Sequence, residues 1–257
     1  MDLQLRDLRV LVTGGSAGIG LATAELLIAD GARVAIASRS PQQEAKRIGA
    51  VAVAADLATA AGCGTAVAEA AEALDGLDVL VNNVGVAQIR PLDQVDDSHW
   101  QAAWDTNVMS CVRCIRAALP HLCESEHAAI VNVSSTSGKR PSAGMPEYSV
   151  TKAALLSLSR LVADVHAGDG IRCNAVTPGP TRSPAWLAPG GLADQTAAAS
   201  GKDREQVLES VAAGRPLKRM AEPAEIAAVI AFLCSPRSSY VTGAAWSADG
   251  GTVPVIL

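Results

Sequence analysis

The sequence predicts an α/β protein with a single domain, in which a doubly wound parallel sheet is covered by helices on both faces. Short apolar segments alternate with longer segments whose apolar positions suit a helix, from one end of the chain to the other. Such repeated strand-helix order makes the strands parallel and places helices on both faces of the sheet. No linker, low-complexity tract or internal repeat interrupts this order, so one domain fits the 257 residues.

Six strands are predicted, and each is short and mostly apolar, as expected of strands buried on both faces. They are LRVLVT (8–13), RVAIAS (33–38), AVAVAA (50–55), DVLVNN (78–83), AIVNVS (129–134) and IRCNAVT (171–177). Between and after them, apolar residues recur with a period near 3.6, which predicts helices. The predicted helices cover about 19–30, 60–74, 98–123, 147–166 and 222–235.

One segment, 178–218, departs from the alternation. It opens with several prolines and glycines and is longer than most connections in a compact domain. Because it follows the carboxyl end of a strand, where open α/β sheets bind ligands, we expect a substrate loop at about 184–215. The alternative is a surface excursion with helices of its own.

The charge and hydropathy of the chain exclude two classes of partner. A net charge of −5 and a pI near 5.4 leave no basic stripe for a phosphate backbone, so we expect no nucleic acid partner. No run of about 18 uncharged apolar residues occurs, so no membrane-spanning helix is expected. The first residues lack the pattern of an export signal, and we expect a cytoplasmic protein.

The six cysteines lie mostly in apolar segments. Cys111 and Cys114 form a C-x-x-C pair, but no second pair or following His pair stands at zinc-binding spacing. Packing is therefore favoured over metal binding, and no metal site is predicted.

A Gly-rich turn, TGGSAGIG (13–20), follows the first strand and opens the first helix. Glycines permit a sharp turn and a close approach to a pyrophosphate, which the free N–H groups of the helix start would bind. The G-x-x-x-G-x-G spacing differs from the G-x-G-x-x-G fingerprint of dinucleotide-binding proteins. The prediction of a dinucleotide site therefore rests on the position of the turn between a strand and a helix. The predicted cofactor contacts in this turn are Gly14, Ser16, Gly18, Ile19 and Gly20.

The second strand ends in Ser38 and Arg39 rather than in an acidic residue. A carboxylate there would hold the adenosine ribose hydroxyls and repel a 2′-phosphate, whereas a guanidinium can bind that phosphate. We therefore expect NADP(H) to be preferred, with NAD(H) as the alternative. An ordinary surface arginine is the competing interpretation of Arg39.

Tyr148 and Lys152 stand four residues apart, so a helix would place them on one face. A phenol with a pKa near 10 is a poor acid-base catalyst at neutral pH, and a cation at about 4 Å would lower its pKa. Taken alone, such a pair is more often a packed ring beside a solvated amine. Pro146 suits the first turn of the helix that would carry the pair.

Taken together, these motifs resemble those of the short-chain dehydrogenase/reductase family, in particular its 3-oxoacyl-carrier-protein-reductase-like branch. The resemblance covers nearly the whole chain and rests most strongly on a Tyr-x-x-x-Lys located 13 residues after a serine at a strand end. The motifs that carry it are TGGSAGIG (13–20), NNVG (82–85), Asn107, Ser134-Ser135, YSVTK (148–152) and PGPTRS (178–183). The family implies a Rossmann fold with seven parallel strands, the last at 244–249, and a homotetramer or homodimer.

The resemblance also implies roles for single residues. Tyr148 looks like the general acid/base, and Lys152 like the group that tunes it and binds the nicotinamide ribose. Ser135 resembles the residue that hydrogen-bonds the substrate carbonyl, with Ser134 as the weaker candidate. Asn107 resembles the residue that anchors a water in the proton relay.

Further cofactor contacts are implied by the same likeness. Asp56 and Leu57 map to the adenine pocket, and Asn83 and Gly85 map to the wall under the ribose. The nicotinamide contact is implied for Pro178, Gly179, Thr181 and Ser183. Thr181 stands where an aliphatic residue is usual in the family, Ser183 where Thr is usual, and Val84 where Ala is common.

Two apolar features lie outside these motifs. We expect Val86, Met145, Trp186 and Leu187 to line the substrate pocket. The apolar tail TVPVIL (252–257) is expected to pack against another subunit, because exposed apolar runs are unfavourable.

The predicted function is that of an NADP(H)-dependent oxidoreductase which interconverts a ketone, such as a 3-oxoacyl thioester, and a secondary alcohol. An NAD(P)-dependent alcohol or sugar dehydrogenase is the alternative enzyme. A dinucleotide-binding protein without turnover is the alternative from a different class, although none of the proton-relay residues has been lost.

Overall fold

A computed structural model describes residues 2–254 of the chain. Its centre is a sheet of seven strands, all parallel, in the order β3-β2-β1-β4-β5-β6-β7. The strands are β1 (Arg9–Thr13), β2 (Arg33–Ser38), β3 (Val51–Ala54), β4 (Val79–Asn82), β5 (Ala129–Val133), β6 (Arg172–Pro178) and β7 (Ala245–Ala248). The expected doubly wound seven-stranded sheet, including its last strand, is confirmed.

Helices cover both faces of the sheet. They are α1 (Gly18–Ala29), α2 (Gln42–Ile48), α3 (Ala60–Leu74), α4 (Asp97–Trp104), α5 (Ser110–Leu122), α6 (Thr136–Lys139), α7 (Pro146–His166), α8 (Pro184–Leu187), α9 (Leu192–Ser200), α10 (Arg204–Ala213) and α11 (Pro223–Cys234). The long helices agree with the predicted periodic segments, whereas the short helix α2 was not predicted.

The core has two parts because side chains alternate across each strand. Leu11 of β1 faces the layer formed by α3, α5 and α7, and it belongs to the same buried cluster as Val67 and Ile115. Val10 and Val12 face the opposite layer, where α1, α2 and α11 bury residues such as Leu27 and Ile230. Both layers are apolar, which explains why the strands show almost no polar alternation in the sequence.

The helix predicted over 98–123 is not continuous. A wider π-helical turn (Asp105–Met109) separates α4 from α5, and the fully buried Asn107 lies within it. Neither Gly nor Pro stands in this turn to mark it in the sequence. Such turns often occur at functional sites, because they change the direction in which a side chain projects.

The segment predicted as a substrate loop contains α8, α9 and α10. The alternative expectation, a surface excursion with helices of its own, therefore describes the backbone of this segment correctly. Of the predicted C-terminal tail, residues 255–257 lie outside the described residues. No helix within residues 2–254 has the length and hydropathy needed to cross a membrane.

The cysteines of the C-x-x-C pair lie on α5 and are buried as free thiols. In the described part of the chain, no group of three or more His, Cys, Asp or Glu side chains could hold a metal ion.

Asp78 joins strands at the edge of the sheet where their amino ends meet. Its carboxylate accepts hydrogen bonds from the Arg9 backbone N–H at 2.8 Å, from the Arg9 guanidinium at 2.7 and 2.9 Å, and from the Ser125 hydroxyl at 2.7 Å. Burial disfavours the charged form of Asp78, but these hydrogen bonds outweigh it and lower the pKa of the carboxyl. The starts of β1 and β4 are thereby fixed to each other.

We expect Asp78→Asn to lower the free energy of unfolding by about 1–3 kcal/mol at pH 7, because the Arg9 guanidinium loses its charged partner. A lowered folded-state pKa stabilises the fold above the unfolded pKa of about 4, and this stabilisation is lost as pH falls through the folded pKa. The difference between variant and wild type should therefore shrink below about pH 4, as measured by urea unfolding. Asp93→Asn, on an exposed residue, serves as the control, and equal stability of all three proteins at pH 7 would contradict the prediction.

Candidate active site

A cavity of about 1110 Å³ lies along the edge of the sheet where the carboxyl ends of the strands meet. It is bordered by residues that follow β1, β2, β3, β4, β5 and β6, which is where an open α/β sheet binds its ligands. Most of the predicted site residues line it. They are Gly14, Gly18, Ile19, Ser38, Arg39, Asp56, Leu57, Asn83, Gly85, Ser135, Tyr148, Lys152, Pro178, Gly179 and Thr181.

Four predicted site residues do not line the cavity: Ser16, Gly20, Asn107 and Ser183. Ser183 is buried behind the Gly-rich turn, where a Cβ on Gly18 would lie 3.2 Å from the Cβ of Ser183. The expected pocket residues Val86, Met145 and Trp186 border the cavity. Leu187 does not, because consecutive residues of α8 point in different directions.

The Gly-rich turn requires glycine for two physical reasons. Gly14 and Gly18 have φ values of 63° and 54°, in the left-handed region that other residues rarely adopt. A Cβ on Gly20 would lie 2.4 Å from both the Asn83 side-chain nitrogen and the Gly14 oxygen. Gly20 therefore permits close packing of the turn behind the cavity, rather than forming its wall.

Asn83 shapes this turn from the end of β4. Its side-chain amide donates hydrogen bonds to the backbone oxygens of Thr13 and Gly14, at 3.2 and 3.1 Å. The helix start that follows has Ala17 as its N-cap, with no capping side chain and no acidic residue in the first turn of α1. Its N–H groups and the positive end of the helix dipole are thus available to an anion such as a pyrophosphate.

The opposite wall of the turn carries Ser38 and Arg39, at the end of β2. The Ser38 hydroxyl oxygen is buried and has no hydrogen-bond partner among residues 2–254. Arg39 is exposed and forms no ion pair within the described chain. An unpartnered hydroxyl and an unpaired guanidinium offer polar groups to a ligand at this end of the cavity.

The two serines after β5 have different environments. The Ser134 hydroxyl donates to the Lys152 carbonyl oxygen at 2.6 Å and so joins the strand end to α7. The Ser135 hydroxyl accepts from the Ser137 N–H at 3.1 Å, which caps α6, and its own proton remains available to the cavity. Of the two serines, Ser135 is therefore the one able to donate to a ligand oxygen.

Tyr148 and Lys152 lie on the first two turns of α7, as their spacing predicts. Lys152 is 3% exposed, and its ammonium donates to the Val133 carbonyl oxygen at 2.8 Å and lies 5.7 Å from the centre of the Tyr148 ring. Burial lowers the pKa of Lys152 to about 8. Burial also raises the pKa of Tyr148, and the neighbouring Ser135 hydroxyl opposes this only in part. The expected lowering of the Tyr148 pKa is therefore wrong for the protein alone.

Asn107 lies behind the cavity, and its side chain makes three hydrogen bonds to the protein. Its oxygen accepts from the Val86 N–H at 2.8 Å, and its nitrogen donates to the Val86 oxygen at 3.1 Å and the Thr151 hydroxyl at 3.0 Å. These bonds hold the segment after β4 against α7. A water-anchoring role for Asn107 stays a prediction, while its structural role as a brace is visible.

Three residues that border or support the site were not predicted from the sequence. Thr151 bonds Asn107, and its place within YSVTK, three residues after the tyrosine, was an available signal. Arg140 and Arg215 border the cavity, the first after α6 and the second after α10. No periodicity marks either arginine, because only the tertiary fold brings them to the same cavity.

Comparisons with known proteins agree with this arrangement. A family model described as enoyl-(acyl carrier protein) reductase matches residues 14–253. The chain is 35% identical over 255 residues to cis-4-hydroxycyclohexanecarboxylate dehydrogenase from Sinomonas cyclohexanicum, with 95% of this chain and 96% of that protein covered. It is 32% identical over 250 residues to the 3-oxoacyl-[acyl-carrier-protein] reductase FabG of Staphylococcus aureus, with 94% and 96% covered.

Among solved structures, L-sorbose reductase from Gluconobacter frateurii, complexed with NADPH and L-sorbose, superposes with a TM-score of 0.91. The two chains are 33% identical, and each is covered completely. Together with the parallel sheet and the cavity at its carboxyl edge, these matches show that the chain belongs to the short-chain dehydrogenase/reductase family, as an oxidoreductase that uses a nicotinamide dinucleotide.

Proposed function

We propose that this protein reduces a ketone to a secondary alcohol with NADPH. The observation that carries the proposal is that the Ser135 hydroxyl, the Tyr148 phenol and the Lys152 ammonium border one cavity, which extends to the Gly-rich turn and to Arg39. The groups proposed to donate a proton and a hydrogen bond to the substrate therefore border the same cavity as the groups proposed to bind the cofactor. The alternative of a non-catalytic dinucleotide-binding protein does not account for this set of donors.

A reduced nicotinamide, when bound, supplies the hydride that adds to the carbonyl carbon. The chain must meet the negative charge that develops on the carbonyl oxygen. Ser135 donates a hydrogen bond to that oxygen, and Tyr148 gives it the proton that completes the alcohol. Lys152 stabilises the resulting phenolate until the phenol is reprotonated from solvent, with Asn107 proposed to anchor a water on that path.

The cofactor would be held from both ends of the cavity. The N–H groups at the start of α1 would bind its pyrophosphate, and Arg39 with Ser38 would bind its 2′-phosphate. Asp56 and Leu57 would border the adenine. The nicotinamide half would lie against the remaining predicted residues, with Lys152 and Tyr148 at its ribose. These residues are Asn83, Gly85, Pro178, Gly179 and Thr181, while Ser16, Ile19 and Gly20 complete the turn and Ser183 packs behind it.

The relatives support more than one kind of substrate. A 3-oxoacyl thioester is suggested by the reductase of S. aureus, whereas the sorbose reductase and the cyclohexanecarboxylate dehydrogenase act on a sugar and a ring alcohol by their names. An alcohol or sugar dehydrogenase that uses NAD(P) is therefore the second candidate. The complex of the sorbose reductase with NADPH supports the NADP(H) preference.

The segment 184–215 is proposed to enclose the substrate. Trp186 of α8, Leu192 and Thr196 of α9, and Val211 of α10 all border the cavity. A short helical segment of this kind can shield a reacting centre from water.

Replacing the phenol tests the reaction directly. We expect Tyr148→Phe to lower kcat for NADPH-dependent ketone reduction by about 100-fold or more, because general acid catalysis typically contributes 10²–10⁴-fold. The measurement is NADPH oxidation with a panel of carbonyl compounds that includes an acetoacetyl thioester. NADPH binding, followed by calorimetry, should persist in the variant.

The chain offers a matched control, since its second tyrosine, Tyr240, is fully exposed. Tyr240→Phe makes the same chemical change away from the cavity and should retain wild-type turnover. Equal rates in wild type and Tyr148→Phe would sink the proposed role of the phenol. Tight NADPH binding without turnover of any compound would favour the non-catalytic alternative.

The cofactor preference is tested at Arg39. We expect Arg39→Asp to shift the ratio of kcat/KM for NADPH to that for NADH by about 10- to 100-fold toward NADH, because charge-assisted hydrogen bonds to the 2′-phosphate are lost. Arg33→Asp, at the other end of β2, imposes the same charge change at an exposed residue and is the control. An unchanged ratio in Arg39→Asp would show that another group selects the cofactor.

Self-association is proposed from an apolar face of α7. Val150, Leu161 and Val165 are about half exposed or more, and their spacing of eleven and four residues places them on one side of the helix. Exposed apolar faces of this kind are unfavourable in a monomer.

We expect light scattering to give two or four times the chain mass of 26.2 kDa. Leu161→Lys should shift the protein toward the monomer, while Leu92→Lys, at an exposed leucine outside α7, should not. A wild-type monomer at micromolar concentration would contradict the proposal.

A further inference from the structure

The cavity is positively charged, although the chain as a whole is negative. The net charge of the sequence is −5. The charged residues that border the cavity are Arg39, Asp56, Arg140, Lys152 and Arg215. Four cationic side chains thus face a single carboxylate, so the cavity favours anionic ligands.

Two of these cations stand away from the strand end at which a 2′-phosphate is proposed to bind. Arg39 follows β2, whereas Arg140 ends the short helix after β5, three places further along the sheet. Neighbouring strands lie about 4.8 Å apart, which puts about 14 Å between those strand ends. Arg215 donates to Thr252, beyond the end of β7, five places from β2. A 2′-phosphate at Arg39 would therefore leave Arg140 and Arg215 without an anion.

Arg215 is held in place without a counter-ion. Its Nε donates to the Val211 carbonyl oxygen at 3.0 Å, and its Nη1 lies 3.5 Å from the Thr252 hydroxyl. The guanidinium is half-buried and forms no ion pair within residues 2–254. Because a guanidinium has five N–H donors, several remain for a ligand.

The carboxylates nearest in the neighbouring wall are already engaged. Arg215 also borders a second cavity of about 340 Å³, which contains Glu225 and Asp249. Glu225 pairs with Arg219 at 2.6 Å. The Asp249 carboxylate accepts the N–H groups of Gly251 and Val253, at 2.9 and 3.0 Å. Neither acid neutralises Arg215.

Large apolar side chains also border the cavity. They include Val86, Ile89, Met145, Trp186, Leu192 and Val253. Such side chains favour a hydrocarbon body between the reacting carbonyl and the cation. A neutral polyol would leave the guanidinium without a charged partner, and a cationic substrate would be repelled.

We infer that the substrate is an oxocarboxylate with an apolar body, whose carboxylate binds Arg215 while its carbonyl lies at Ser135 and Tyr148. Arg140, exposed at the rim, attracts the same anion. This inference rests on the proposed ketone reduction and names the class of its substrate. The planar guanidinium fork matches the two oxygens of a carboxylate.

The test compares 3-oxocyclohexanecarboxylate, its methyl ester and cyclohexanone, with saturating NADPH. We expect kcat/KM of the wild type to be about 10- to 100-fold higher for the acid than for the ester, chiefly through KM. Arg215→Met, which keeps the length of the stem, should remove this preference. Arg215→Lys should keep part of the preference. Arg33→Met, which removes the same charge at an exposed residue outside both cavities, should keep all of it.

A binding measurement separates this inference from the proposed reaction. Calorimetry on the NADP⁺-loaded wild type should show tighter binding of cyclohexanecarboxylate than of cyclohexanecarboxamide, and Arg215→Met should abolish the difference. Turnover of ketones with no preference for the acid would overturn the inference and leave the proposed reduction standing. Preferential acid binding without turnover of any ketone would overturn the reduction and keep the anion site. Should Arg215→Met fail to fold, equal binding of acid and amide by the wild type would still overturn the inference.

Discussion

The reversal of strand order between β1 and β4 is the constraint on which the site depends. β1 lies between β2 and β4, so the connections that leave these strands diverge and open a crevice at their carboxyl ends. Several of the groups proposed to act follow a strand end: Gly14 after β1, Arg39 after β2, Gly85 after β4, Ser135 after β5 and Gly179 after β6. The crevice is thus a property of the topology, and the residue types at the strand ends determine which ligand it accepts.

A second constraint is the need to satisfy buried polar groups, and it fixes α7 against the sheet. Lys152 donates to the Val133 oxygen, the Ser134 hydroxyl donates to the Lys152 oxygen, and Asn107 bonds Thr151. An unpaired buried donor would cost about 1–3 kcal/mol, so these bonds favour one position of the helix. The position of Tyr148 is therefore set by the hydrogen bonds that neighbouring residues of α7 make.

The sequence predicts the features that depend on local pattern. Apolar runs buried on both faces identify the strands, and the Gly-rich turn after β1 could be recognised because only glycine permits its backbone and its contact with Asn83. The π-helical turn at Asn107 could not, because its cause is a set of long-range hydrogen bonds to Val86 and Thr151. The place of Arg215 at the cavity was equally unpredictable, since the cavity wall is assembled from distant segments.

The electrostatics of the tyrosine-lysine pair could not be derived from spacing either. A spacing of four residues on a helix brings Lys152 near Tyr148, and this proximity alone suggests that the pKa of the phenol is lowered. Burial disfavours the charged form of each group, so it lowers the pKa of Lys152 to about 8 and raises the pKa of Tyr148. The phenol therefore keeps its proton at neutral pH, and Lys152 titrates closer to neutral pH than an ordinary lysine. A protonated phenol is the form that the proposed donation of a proton to a carbonyl oxygen uses.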